Sequence, residues 1–255
     1  MLNAYSSVIL AVFAAAAAGL VGAFALMKRT ILAGDVMSHI AIPGLGLAIL
    51  WKVDPLVGGG LTLLLGILLI WHLQKSTELS SEAAIGVIFA SSVALGALLI
   101  NSTEALVDAL FGGFGALSWD QFIFGIATSV FVIAALWILR HKLIITLFSP
   151  DLAPSAGIRV GAVNLYFLLL FGLAILVSLR FLGALLVGSL IIIPASAARQ
   201  LTHSLGAFLT TSMALAVAST LIGFYLSARY SLEQGATIVV VAAAFFALSL
   251  LVPKK

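Results

Sequence analysis

The chain contains no cysteine, which excludes disulfides, thiolate metal sites, iron–sulfur clusters and cysteine nucleophiles. Charge is nearly as scarce: 8% of the 255 residues are Asp, Glu, Lys or Arg, against roughly 25% in a soluble domain. A soluble globular fold is excluded by that figure together with 63% hydrophobic residues and a mean hydropathy of +1.29. Chemistry-bearing motifs are missing too. There is no G-x-x-x-x-G-K-[ST] loop and no H-E-x-x-H helix, so the chain carries no nucleotide site of its own and is not expected to be an enzyme. No arginine-rich voltage-sensor helix or TVGYG-like filter is present either.

What remains is apolar runs of 16 to 21 residues, and only a bilayer accepts so apolar an exterior. They fall near 8–27, 36–51, 55–72, 83–100, 121–139, 163–179, 183–198, 206–226 and 235–252. The ten-residue alternation of a barrel strand is absent, and every backbone group in lipid needs an internal partner, so the fold class is an all-α polytopic transmembrane bundle. About nine spans are expected, with eight as the alternative. They would use about 180 residues at the usual bilayer thickness, which leaves room for a single transmembrane domain over 1–255 and no separate soluble one. No basic residue precedes the first run, so it reads as a span rather than a cleavable signal.

A net charge of +3 and a pI near 9.4 would suggest nucleic acid in a soluble protein. Here the basic residues are a topological signal, and no nucleic-acid partner is expected. Lys28, Arg29, Lys75, Arg140, Lys142, Arg159, Arg199, Lys254 and Lys255 fall on one side of the nine spans, and Lys52, Arg180 and Arg229 on the other. The first side reads as cytoplasmic, which puts the N-terminus outside and the C-terminus inside. Residues 104–117, apolar but too short to cross and broken by Gly112, Gly113 and Gly115, read as an external re-entrant turn. In the loop 141–162, Ser149-Pro150-Asp151 reads as a helix start and Gly157 as its stop, which predicts a very short cytoplasmic helix. Small residues at Ala14, Ala18 and Gly22, at Gly58, Gly59 and Gly60, and at Ala195, Ala197 and Ala198 read as helix-packing faces.

Ionisable groups inside spans cost roughly 2.5–3.5 kcal/mol each on insertion scales, so the few present are informative. Asp35 and His39 lie four residues apart on the second span and project from one helix face about 40° apart, with Ser38 beside them. A carboxylate and an imidazole suit a divalent cation, but equally a proton relay or a structural hydrogen bond. Pro43 has no N–H for the carbonyl four residues back, that of His39. A span so broken, with Gly34, Gly44 and Gly46 around it, is tolerated in membranes only where it is buried in protein or lines a cavity. Glu82 opens the fourth span at the same predicted level, and could be a third ligand or an acid complementing the helix dipole after a serine cap. His72, His141 and His203 read as interfacial.

Three stretches together resemble the permease subunits of bacterial ABC importers for zinc, manganese and iron. They are RTILAGDVMSHIAIPGLGLA (Arg29 to Ala48), EAAIG (Glu82 to Gly86), and GALLV from Gly183 with PASAA from Pro194. The family commonly carries an Asp preceded by another acid where this chain has Ser81-Glu82. The resemblance implies Asp35 and His39 as metal-contacting residues of a translocation pathway and Glu82 as a third, with the metal as transported cargo and no permanently bound cofactor. It implies that Asp151, Ala156 and Gly157, within 149–161, belong to a coupling segment on a separate cytoplasmic ATP-binding subunit. It further implies a second copy of the permease and an external metal-binding protein. The competing expectation is a proton- or sodium-coupled secondary transporter with Asp35 and His39 as a proton relay.

Overall fold

The computed structural model describes residues 4–30, 33–77, 80–100, 118–149 and 151–252. The expected re-entrant stretch 104–117 lies outside them. Among the described residues nine α-helices run in order: α1 (Ala4–Met27), α2 (Ala33–Ile40), α3 (Ile42–Trp51), α4 (Pro55–Ser76), α5 (Ser81–Leu99), α6 (Trp119–Phe148), α7 (Val160–Leu201), α8 (Leu205–Tyr230) and α9 (Gln234–Ser249). Among the described residues eight segments are long and apolar enough to cross a membrane, and the 16-residue α9 is a shorter apolar helix. One of the eight is composite, and one helix holds two of them. α2 and α3 together make the span Gly34–Trp51, and α7 holds two, Val160–Leu179 and Leu182–Leu201.

The division of α7 rests on Gly183, whose φ of 65° and ψ of 173° interrupt 42 otherwise helical residues. Side chains essentially never adopt that combination, so only glycine serves there. Phe171 and Ile191, one on each side of the break, both come within 4 Å of a Cβ built on Gly34. In a straight helix those twenty residues would span about 30 Å, so the chain folds sharply back on itself at Gly183.

Apolar side chains gain nothing by leaving lipid for protein, so close approach of small residues holds such a bundle together. α1 is the most enclosed span: Ala14, Ala15, Ala18, Val21 and Ala25 are buried. A Cβ on Gly22 would collide with the Ile191 carbonyl of α7, and one on Gly19 would come 2.7 Å from the Ser212 carbonyl of α8. The Ser212 hydroxyl donates back to the Gly19 carbonyl at 2.6 Å. Likewise, the backbones of Gly44 on α3 and Gly58 on α4 touch each other.

One end of the bundle gathers the basic residues. Lys28, just past α1, donates from Nζ to Asn164 Oδ1 of α7 at 2.7 Å, and Asn164 donates to Gln74 Oε1 of α4 at 3.1 Å. Burial pushes the Lys28 amine down from 10.5 to about 8. At the other end, Asp54 caps α4 through the Leu56 N–H at 2.8 Å and accepts from Gln121 of α6 at 2.6 Å.

The segment after the fifth span departs from expectation. α6 does not stop near 139 but continues to Phe148, because HKLIITLF carries the helix on past the apolar stretch. Ser149, expected to start a helix, instead ends one. It is the C-cap of α6, and its carbonyl accepts from the Leu152 and Ala153 N–H groups in a turn. The short helix is a single 3₁₀ turn, Pro154–Ala156, with the proline at its first position. Gly157 does end it, in a left-handed conformation with φ of 70°. Asp151, Ala156 and Gly157 are all exposed.

Candidate metal pathway

α2 positions the candidate pair. It packs against the second half of α7, where a Cβ added to Gly188 would lie 2.6 Å from Asp35 Cα and 2.8 Å from its Oδ1. The absent side chain is therefore what lets Asp35 approach. Gly188 is the seventh residue of the twenty-residue span Leu182–Leu201, so Asp35 is set well inside the apolar length of the bundle. The other wall is α5, whose Phe89 meets the His39 ring edge-on, with centroids 5.5 Å apart. Both Asp35 and His39 remain half-buried.

The local hydrogen bonds orient the imidazole. His39 Nδ1 lies 2.8 Å from the Asp35 backbone carbonyl. A carbonyl only accepts, so in the neutral ring Nδ1 carries the proton and Nε2 keeps its lone pair. Metal-ligating histidines are fixed this way, by donating their second ring nitrogen to a carbonyl or carboxylate. Ser38, fully buried, is 2.7 Å from the same Asp35 carbonyl and 2.6 Å from the Ala184 carbonyl of α7. Its single proton serves one of these at a time, and the serine ties α2 to the residue after the Gly183 break.

The interruption between α2 and α3 is one residue, Ala41, which keeps right-handed helical angles (φ −72°, ψ −21°). Its N–H bonds to the Ser38 carbonyl at 3.3 Å, and its carbonyl accepts from Leu45 at 3.0 Å. The break is thus a kink in one span, with Pro43 in the first turn of α3.

Glu82 stands apart from this pair. Ser80 caps α5 by accepting from the Ala83 N–H at 3.2 Å, and Glu82 sits exposed in the first turn, where an acid complements the helix dipole. α5 runs alongside α2 and α3 in the same direction, since Phe89 meets His39 and Gly96 meets Ile42. Glu82 is seven residues before Phe89, about 10 Å along the axis, whereas Asp35 is about 6 Å before His39. It therefore falls nearly a turn closer to the Lys28 end. Among the described residues no three His, Asp or Glu side chains come together as a metal cluster. His72 and His141 are exposed on α4 and α6, and His203 is exposed in a bend.

Two contributors escaped sequence reasoning. Phe89 carries no sequence signal, because its place against His39 depends on the register of α5. Gly188 was detectable only as a glycine in an apolar run, a weaker signal than the repeat of small residues that marked Gly22.

Apolar helices long enough to cross a bilayer, packed around a kinked and polar second span, define a polytopic membrane protein. The chain belongs to the ABC 3 transport family, whose model matches residues 1–253. It is 29% identical to the manganese import system permease protein ScaB of Streptococcus parasanguinis over 93% of this chain and 86% of that protein. It is 32% identical to the high-affinity zinc uptake system membrane protein ZnuB of Haemophilus influenzae over 90% and 89%. Among solved structures, PsaBC from Streptococcus pneumoniae in complex with Fab matches with a TM-score of 0.85 and 26% identity, covering 98% of this chain and 92% of that one.

Proposed function

We propose that this chain is the transmembrane permease of an ABC importer that carries zinc, manganese or iron into the cytoplasm, with ATP hydrolysed by a separate cytoplasmic subunit. Similarity to manganese and zinc permeases over about nine-tenths of the chain supports the cargo class. An external metal-binding protein delivers the ion, and the segment 149–161, which exposes Asp151, Ala156 and Gly157, docks on the ATP-binding subunit. The gathering of Lys28, Lys75 and Arg159 at one end supports an outside N-terminus and an inside C-terminus.

Asp35 and His39 contact the metal in transit. The observation that carries this reading is the His39 Nδ1 bond to the Asp35 carbonyl, which leaves Nε2 available on a kinked span beside a carboxylate. Two donors are fewer than the four or more that a divalent ion takes, so water or a second copy of the permease supplies the rest. Incomplete ligation suits a transport site, which must release its ion. Glu82 acts nearer the Lys28 end, as a separate carboxylate on the same route. In cells lacking other importers, Asp35→Asn and His39→Ala each abolish accumulation of the transported metal, measured by mass spectrometry of washed cells, without loss of membrane insertion. The double variant is no worse than either single one, because a site missing one ligand has already failed. Full uptake of zinc, manganese and iron by His39→Ala would overturn the assignment.

A further inference from the structure

The wall made by α4, α6 and the first half of α7 is indented. A groove of about 350 Å³ runs between these helices, lined by apolar side chains such as Leu63, Ile67, Phe131, Ala135 and Leu173, with Tyr166 at one end. Its rim faces outward: Leu64, Phe131 and Tyr166 are exposed, and all three helices lie within spans. Leu139 lies eight residues beyond Phe131 on α6, about 12 Å of axis, a length suited to part of an extended acyl chain.

The two ends of the groove differ in charge. At the Tyr166 end, Lys75 comes from α4, Lys142 from α6 and Arg159 from the residue before α7, so each wall contributes a cation. Lys142 is exposed one turn beyond Leu139 and falls on the face already defined by Phe131, Ala135 and Leu139. Trp71, whose Nε1 donates to the Gly161 carbonyl at 3.3 Å, and Tyr166 give this end the amphipathic aromatics typical of a membrane interface. Among the described residues Asp151 lies in the adjoining loop, but with Arg140 the basic residues outnumber it four to one. Around the opposite end the charge is mixed, with Asp54 before α4, Asp120 at the start of α6 and Arg180 beyond the first half of α7.

We propose that this groove is a binding site for an anionic phospholipid, with one acyl chain between α4, α6 and α7 and the phosphate at the Lys142 end. The site follows from the membrane placement and is independent of the metal reading. The test is native mass spectrometry of the full-length chain purified from membranes and titrated with phosphatidylglycerol or phosphatidylcholine. The wild-type chain retains one phosphatidylglycerol per copy in preference to phosphatidylcholine. Lys142→Ala weakens phosphatidylglycerol binding by about fivefold, the share of one basic residue near a charged headgroup, and leaves phosphatidylcholine unchanged. Ala135→Trp, which fills the groove, lowers retention of both. Equal binding of the two lipids by the wild-type chain would overturn the proposal, as would an unchanged phosphatidylglycerol affinity in Lys142→Ala, whose exposed side chain can be lost without unfolding. If Ala135→Trp splits a dimer while lipid retention stays the same, the groove is a contact between copies and the lipid assignment is wrong.

Discussion

Two helices in this bundle are interrupted, and they are interrupted by different means for different ends. Between α2 and α3 a proline withholds one N–H, yet Ala41 stays in the right-handed helical region and the two pieces continue as one span. Within α7 a glycine adopts φ of 65°, and the chain turns back so that residues on either side of it meet at Gly34. A missing donor bends a helix and frees a carbonyl, which serves chemistry. A positive φ redirects the chain, which serves topology. The two breaks are joined by Ser38, whose hydroxyl reaches from the kinked span to Ala184, beside the reversal.

If the reversal depends on a conformation open only to glycine, Gly183→Ala should have the largest effect on folding. The expected cost is about 1–3 kcal/mol of backbone strain, seen as a lower thermal midpoint in detergent and reduced yield in the membrane. A midpoint indistinguishable from that of the parent chain would move the origin of the fold-back elsewhere in residues 179–184.

These two breaks also mark what sequence can disclose. Spans were legible because all but the second are unbroken apolar runs, and the fold-back was legible only as a gap between runs 163–179 and 183–198, not as a single turning residue. Pro43 and Gly157 were readable because each acts through its own backbone chemistry. The end of α6 was not, since leaving the bilayer ends an apolar run without ending a helix. Asp35 and His39 could be paired because four residues on one helix fix their relation. Glu82 could not be placed against them, because its level depends on how α5 slides along α2, and that is settled by Phe89, Gly96 and Ile42, none of which announces a partner.

The proline break should behave in the opposite way to the glycine one. Pro43 sits in the first turn of α3, where proline costs a helix little, so Pro43→Ala leaves thermal stability nearly unchanged. It does supply an N–H to the His39 carbonyl and favours a straighter span. Metal uptake should therefore fall, short of the complete loss expected for His39→Ala, while the melting midpoint stays put. Uptake at the parent level would mean that the kink serves packing alone.

The smallest effect concerns what holds the arms of the fold-back at the end remote from Gly183. There Lys28 bonds to Asn164 and lies 4.7 Å from the centroid of the Phe167 ring, so that α1 grips the first half of α7. Burial lowers its folded-state value to about 8 from 10.5. Below pH 8 the amine is charged in both states and the folded chain bears the cost of burying it. Between about pH 8 and 10.5 the folded chain releases this proton while the unfolded chain retains it, so stability contributed by this residue rises with pH across that window. Lys28→Met removes the titration while keeping the length of the side chain, and its lost hydrogen bond to Asn164 adds an offset that does not vary with pH. The difference in thermal midpoint between the parent chain and Lys28→Met should therefore change steadily from pH 8 to 10 in favour of the parent and stay flat from pH 6 to 7.5. A flat difference over the whole range would show that Lys28 is solvated in the folded protein, so that burial of its charge costs the grip of α1 on α7 nothing.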